Sequence, residues 1–252
     1  MDDPSRSRPT PDAGPLWRTQ LDGWLRERPD MALMAPYLAY LLLLALQSIE
    51  PFDTQARWLS HILRGAGSLA VFWLVRKHLP PLGRPHLLLA IAAGAACAVL
   101  WAGGQHVFNR LGVPMHIPLP LFTAGEFQDP TTIWTDATEF WVTAVLKVAV
   151  ACTAVPIVEE LFWRAFLLRA LIRWDDFERV PLGTFSWRSF LGTSLLSTLQ
   201  HPSNWLISIF CWFAFNGLFY WKKSILFLVL VHAFTNLFLY VYVLAARDWQ
   251  FW

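Results

Sequence analysis

Charge is scarce in this chain of 252 residues: Asp, Glu, Lys and Arg make up 15% of it, against about 25% in a soluble domain. Cysteine is scarcer. Cys97, Cys152 and Cys211 all lie inside apolar runs, with no C-x-x-C pair. That argues against a disulfide framework and a thiolate zinc site, and reads all three as small buried hydrophobes. The net charge of +2 is too small to imply an acidic partner, and a nucleic-acid-binding arm is excluded. No small-residue cleavage site accompanies the first apolar run, so a cleaved signal peptide is not expected. What the chain has in excess is apolar surface: 56% hydrophobic residues, 15% aromatic, with 15 Trp. This excludes a disordered chain and an ordinary cytosolic enzyme. It predicts an integral protein of the cell's inner membrane, with the lipid bilayer as its solvent and Trp at the interfaces.

Residues 1–15 are rich in Pro, Ser and Asp without an apolar period, which predicts a disordered cytoplasmic tail. Over 16–30, Trp17, Leu21, Trp24 and Leu25 recur at helical spacing among Arg18, Arg26 and Arg28, the pattern of a short helix lying in the headgroup region. From 31 onward a single helical bundle is expected. Apolar runs at 31–48, 58–76, 86–104, 140–172, 186–201, 204–221 and 224–246 predict an all-α polytopic transmembrane bundle of about 7–8 helices. The run 140–172 is too long for one straight span, and Lys147 is expected to divide it. A polar loop with Pro114, Pro118, Pro120 and Pro130 fills 105–137. Lys and Arg alternate across the connections so as to place the N-terminus in the cytoplasm if seven spans are counted.

Ionisable residues inside apolar runs cost about 2.5–3.5 kcal/mol each at mid-span, so those that persist are candidates for chemistry. Three groups stand out: Pro156 to Arg164, Leu199 to Pro202, and His232 to Asn236. Glu160 and Arg164 are four apart and can pair on one helix face. Glu159 points about 100° away, which leaves it free to face a cavity. The alternative is that Glu159, Glu160 and Arg164 form one structural cluster. Pro156 leaves the Cys152 carbonyl without its helical donor and can bend the helix just before the glutamates. His232 and Asn236 also share a face and can donate into one point, or merely tie helices together. His201 sits at a helix end closed by Pro202, where a cap is the plainer role. That helix is either short, ending inside the bundle, or bounded differently.

Taken in order, Glu-Glu-x-x-x-Arg at 159–164, a His about forty residues on and His-x-x-x-Asn about thirty further resemble the CAAX protease and bacteriocin-processing family of intramembrane endopeptidases. The wording is close: V-E-E-L-F-W-R-A-F-L around the glutamates, and G-L-F-Y-W-K-K-S-I-L-F-L-V-L-V-H-A-F-T-N into the last motif. The resemblance covers roughly 148–240, which it makes the catalytic core. The segment before it resembles the bacterial CAAX-protease-related proteins found alongside exosortase sorting systems. One position departs from the family pattern. The second motif, usually Phe-x-x-x-His, here has Ser197 in place of Phe. The resemblance implies that Glu159 and His201 activate the hydrolytic water. It also implies that Glu160 and Arg164 hold the first motif, and that His232 and Asn236 stabilise the oxyanion. The substrate would be a membrane-associated peptide or protein. Amide hydrolysis needs such a set: a base for water, an acid for the leaving amine, and donors for the developing charge.

Two other classes compete: a non-catalytic scaffold or chaperone of the same fold, and a proton-coupled transporter. Against the transporter stands the lack of inverted repeats or paired half-helices. Members of the family are often labelled metalloproteases, yet the chain lacks H-E-x-x-H. A tetrahedral zinc site would need three of Glu159, Glu160, His201 and His232. With Glu160 better used on Arg164, a metal-independent glutamate mechanism without cofactor is expected.

Overall fold

A computed structural model describes residues 15–53, 56–117, 129–134 and 136–252. The tail predicted over 1–15 therefore lies, apart from Pro15, outside the described residues. Among those residues every regular element is helical, and each of the seven predicted runs forms helix. The helices are α1 (Leu16–Glu27), α2 (Pro29–Leu44), α3 (Arg57–Val75), α4 (Leu87–Arg110), the single turn α5 (Pro130–Ile133), α6 (Ala137–Cys152), α7 (Ala154–Glu160), α8 (Leu168–Ala170), α9 (Trp187–Gln200), α10 (Trp205–Lys222) and α11 (Ile225–Ala246).

Five described stretches are long and apolar enough to cross a membrane: Pro29–Ser48, Arg57–His78, Leu87–Arg110, Ala137–Ala170 and Ile225–Ala246. Leu42, Leu88, Val99 and Val145 stand exposed on their outer faces, as side chains facing lipid do. The protein is a polytopic helical bundle. The run from 140 is not divided at Lys147, which corrects the sequence expectation. Ala137–Ala170 is one helical stretch, and Lys147 lies within α6. Its ammonium is accommodated without leaving the helix, 4.0 Å from the ring centroid of Trp252 and 5.6 Å from that of Tyr240. The interruption comes instead at Thr153, between α6 and α7. It lies next to Cys152, the residue whose carbonyl Pro156 leaves without a donor.

Small residues let these helices approach closely, as in other membrane bundles. A Cβ on Gly94 of α4 would lie 2.5 Å from Cβ of Phe234 on α11, and one on Gly65 of α3 would lie 2.7 Å from Cγ2 of Val150 on α6. α9 and α10 pack through hydroxyls. Asn216 donates to Thr193 Oγ1 at 3.0 Å and Ser194 Oγ at 3.2 Å, and the Ser197 and Ser208 hydroxyls meet at 3.2 Å. Ser197 is fully buried in this seam, so Ser stands where a Phe would force the two helices apart.

α9 is capped by Ser186, which accepts from the Ser189 N–H. Its 14 residues reach roughly 21 Å, short of a hydrocarbon core about 30 Å thick. α1 divides its apolar residues. Leu25 packs with Ala32 and Val75 while Trp17 and Trp24 face outward. Its apolar stripe is thus shared with the bundle rather than given wholly to a headgroup layer. Asp22 fastens it through Nε2 of His78 at 2.9 Å.

Candidate active site

The local structure around the glutamates follows from Pro156. The helix breaks at Thr153, restarts as α7 and passes directly into a π-helical segment, Leu161–Leu167. Such segments often mark functional sites. Glu160 is fully buried and Arg164 is 1% exposed. Arg164 Nη1 lies 3.2 Å from Oε1 and 3.0 Å from Oε2 of Glu160. The guanidinium is further covered by the rings of Trp212 and Phe215, at 5.1 and 5.4 Å. The pair expected from the i, i+4 spacing therefore forms. Glu159 takes the other direction and lines a cavity of about 1120 Å³.

His201, His232 and Asn236 line that same cavity. His201 caps α9 at its C-terminal end, and its ring lies between those of Trp101 and Trp212, at centroid distances of 5.0 and 5.5 Å. The shortness of α9 is what brings a helix-end residue to the wall shared with Glu159. His232 and Asn236 face the cavity from α11, yet both are already engaged. His232 Nδ1 lies 2.9 Å from Oε1 of Glu160, and Asn236 Nδ2 donates to the Ala151 carbonyl at 2.7 Å. Asn236 thus ties α11 to the last turn of α6, beside the break at Thr153. One hydrogen of its amide remains for another acceptor.

Two features of the cavity escaped the sequence reading. Gln200, one residue before His201, accepts from the Trp163 indole at 3.0 Å and reaches the Glu159 carboxylate. It buttresses the putting together of α7 and α9 at this point. The second is a set of cations from outside the three groups singled out: Arg57, His61 and Arg64 of α3 and Lys147 of α6 line the same cavity. Their signal was present in the i, i+4, i+7 spacing of 57, 61 and 64, which marks one helix face.

Among the described residues, no three His, Cys, Asp or Glu side chains gather in a group fit to hold a metal ion. The donor chemistry agrees, because the Glu160 carboxylate is occupied by both Arg164 and His232. Of the zinc ligand set considered from sequence, Glu160 is therefore already engaged.

No curated protein and no solved structure matches the chain. A family model does, over residues 141–238: type II CAAX prenyl endopeptidase, Rce1-like. The matched stretch holds Glu159, Glu160, Arg164, His201, His232 and Asn236, and it leaves out α1 to α5. Over this stretch, the chain is similar to the CAAX protease family.

Proposed function

We propose that the protein is an intramembrane endopeptidase that hydrolyses a peptide bond of a membrane-associated protein or peptide by a metal-independent glutamate mechanism. The observation that carries this reading is the division between neighbouring carboxylates. Glu159 faces a cavity shared with His201, His232 and Asn236, while Glu160 is buried against Arg164. A water between Glu159 and His201 gives its proton to this pair as it attacks the carbonyl carbon. The C–N bond then breaks, and the same proton passes to the leaving amine. Gln200 and the flanking Trp rings hold the two groups in place.

His232 and Asn236 receive the negative charge on the carbonyl oxygen. His232 Nδ1 faces the Glu160 carboxylate, which fixes the ring and leaves Nε2 for the oxyanion. Asn236 supplies the amide hydrogen not used on Ala151.

The Lys and Arg distribution supports a cytoplasmic N-terminus. The test is substrate trapping. Glu159→Gln, expressed in its native membrane, should retain an uncleaved membrane peptide that the wild-type protein cuts after purification. A trapped partner that wild-type protein never cleaves would instead support the scaffold reading. Elemental analysis of chelator-free protein should find no stoichiometric metal. About one zinc per chain, lost together with activity, would overturn the glutamate mechanism.

A further inference from the structure

The cavity is also lined by cations, and among the described residues their charges are not matched. Arg64 is 7% exposed and His61 2%. Among the described residues, Arg64 Nη2 meets only His61 Nδ1, at 2.7 Å, and neither Arg64 Nε nor His61 Nε2 has a hydrogen-bond partner. Lys147 points in from α6 with aromatic rings, not a carboxylate, beside it. Arg57 donates to the Asp53 backbone carbonyl, and Asp53 is the one described carboxylate offsetting the group. Among the described residues, Arg57, Arg64 and Lys147 form no ion pair. The rings of Tyr40, Trp134, Tyr240 and Trp252 face these cations, so the pocket around them is walled by aromatics and poor in acceptors.

Buried, unpaired cations in a bundle are costly and persist where they meet something. We propose that Arg64 and Lys147, with His61 and Arg57 behind them, form a subsite for a carboxylate of the bound peptide. This rests on reading the cavity as a peptidase site. An Arg guanidinium fork fits a carboxylate in a bidentate manner, and Lys adds a point charge from the facing helix. The subsite also acts as a ruler. Lys147 precedes Glu159 by twelve residues, at most roughly 18 Å along a helical path interrupted once at Thr153. An extended peptide covers that length in about five residues. The scissile bond is thereby placed within about five residues of an acidic group, either the peptide's terminal carboxylate or an Asp or Glu side chain.

The test uses three fluorescent N-dodecanoyl peptides of one apolar five-residue sequence, bound to protein in phosphatidylcholine nanodiscs. One ends in a free carboxylate and one in an amide. The third ends in an amide but carries a Glu at its last position. The acid and Glu forms should bind wild-type protein roughly ten- to a hundredfold more tightly than the amide. Comparing those two tells a terminal from a side-chain carboxylate. The preference should vanish in Arg64→Gln/Lys147→Gln and survive in Glu159→Gln. If the double variant does not fold, Lys147→Met alone should show a partial loss.

Equal affinity of all three peptides for wild-type protein overturns the proposal, and so does binding by none. A preference that survives in a folded double variant, or that is undiminished in Lys147→Met, overturns it too. Retention of phosphatidylglycerol by wild-type but not variant protein, without discrimination among peptides, would assign the cations to lipid phosphate and equally overturn it. Binding is read without cleavage. An acid preference in a protein that cuts nothing would therefore sink the peptidase reading and keep the subsite, and active enzyme indifferent to the carboxylate would do the reverse.

Discussion

Arg164 and Arg64 are the same side chain in two different electrostatic positions. Both are buried in the bundle and both lie near aromatic faces. Arg164 has Glu160 one turn before it on its own helix, and His232 completes that carboxylate from α11. Arg64 has a histidine for its close neighbour and an open cavity in front. The difference separates a group that holds the fold from a group poised for a ligand. Burial alone does not distinguish them, and the partner does.

That comparison can be broken by substitution. Glu160→Gln leaves Arg164 buried with its charge uncompensated, so unfolding stability should fall by about 3–5 kcal/mol. Arg64→Gln removes a charge that has no carboxylate partner among the described residues and should leave the melting temperature unchanged or raised. Thermal melts in one detergent check both, and a large loss in Arg64→Gln would show that it too is structural.

Asn236→Ala sharpens the comparison on α11, where one residue is both tie and donor. Loss of the oxyanion contact should lower kcat by about 10²–10³, near 2.7–4 kcal/mol, with KM little changed. Loss of the Ala151 tie should cost a further 0.6–2 kcal/mol of stability, roughly. Turnover per folded molecule separates these, and unchanged turnover would reduce Asn236 to the tie. Ser197→Phe places the Phe of the resembled motif in a seam built without it. Overpacking there should cost about 1–3 kcal/mol, measurable by melting, whereas a stabilised protein would show that the α9–α10 seam opens readily.

The smallest effect is expected at the periphery. The hydrogen bond to His78, ahead of the nearby Arg18 charge, holds the Asp22 carboxyl below its ordinary value of 3.8. A group lowered on folding gives stability that is fully present above its unfolded value and is lost as pH falls through the folded one. The docking of α1 should therefore hold at neutral pH and loosen only in acid, below about 3.8. Amide exchange in α1 as a function of pH would show it.

The helical bundle was legible in the sequence because apolar runs report lipid exposure directly. So was the Glu160–Arg164 pair, which is set by helix geometry within one turn. The position of His201 was half legible. Sequence gave its place at a helix end but not that α9 is too short to carry it beyond the cavity. The engagement of His232 with Glu160 and of Asn236 with Ala151 was not legible, because α11 meets α6 and α7 only through tertiary packing. Lys147 misled for a related reason. Its tolerance inside a helix comes from Trp252 and Tyr240, about a hundred residues away in the chain. The cations of α3 could have been read from their spacing, but the apolar run around them drew the reading toward a plain span.

The central claim is that adjacent glutamates do different work, and it is tested most directly by measuring turnover and melting of Glu159→Gln and Glu160→Gln side by side on one trapped substrate. Glu159→Gln should melt like wild-type protein with proteolysis abolished, a loss of about 10²–10⁴ or more. Glu160→Gln should lose stability as well as activity. Two variants that melt alike and lose turnover alike would contradict it, and would return both carboxylates to a single structural cluster with Arg164.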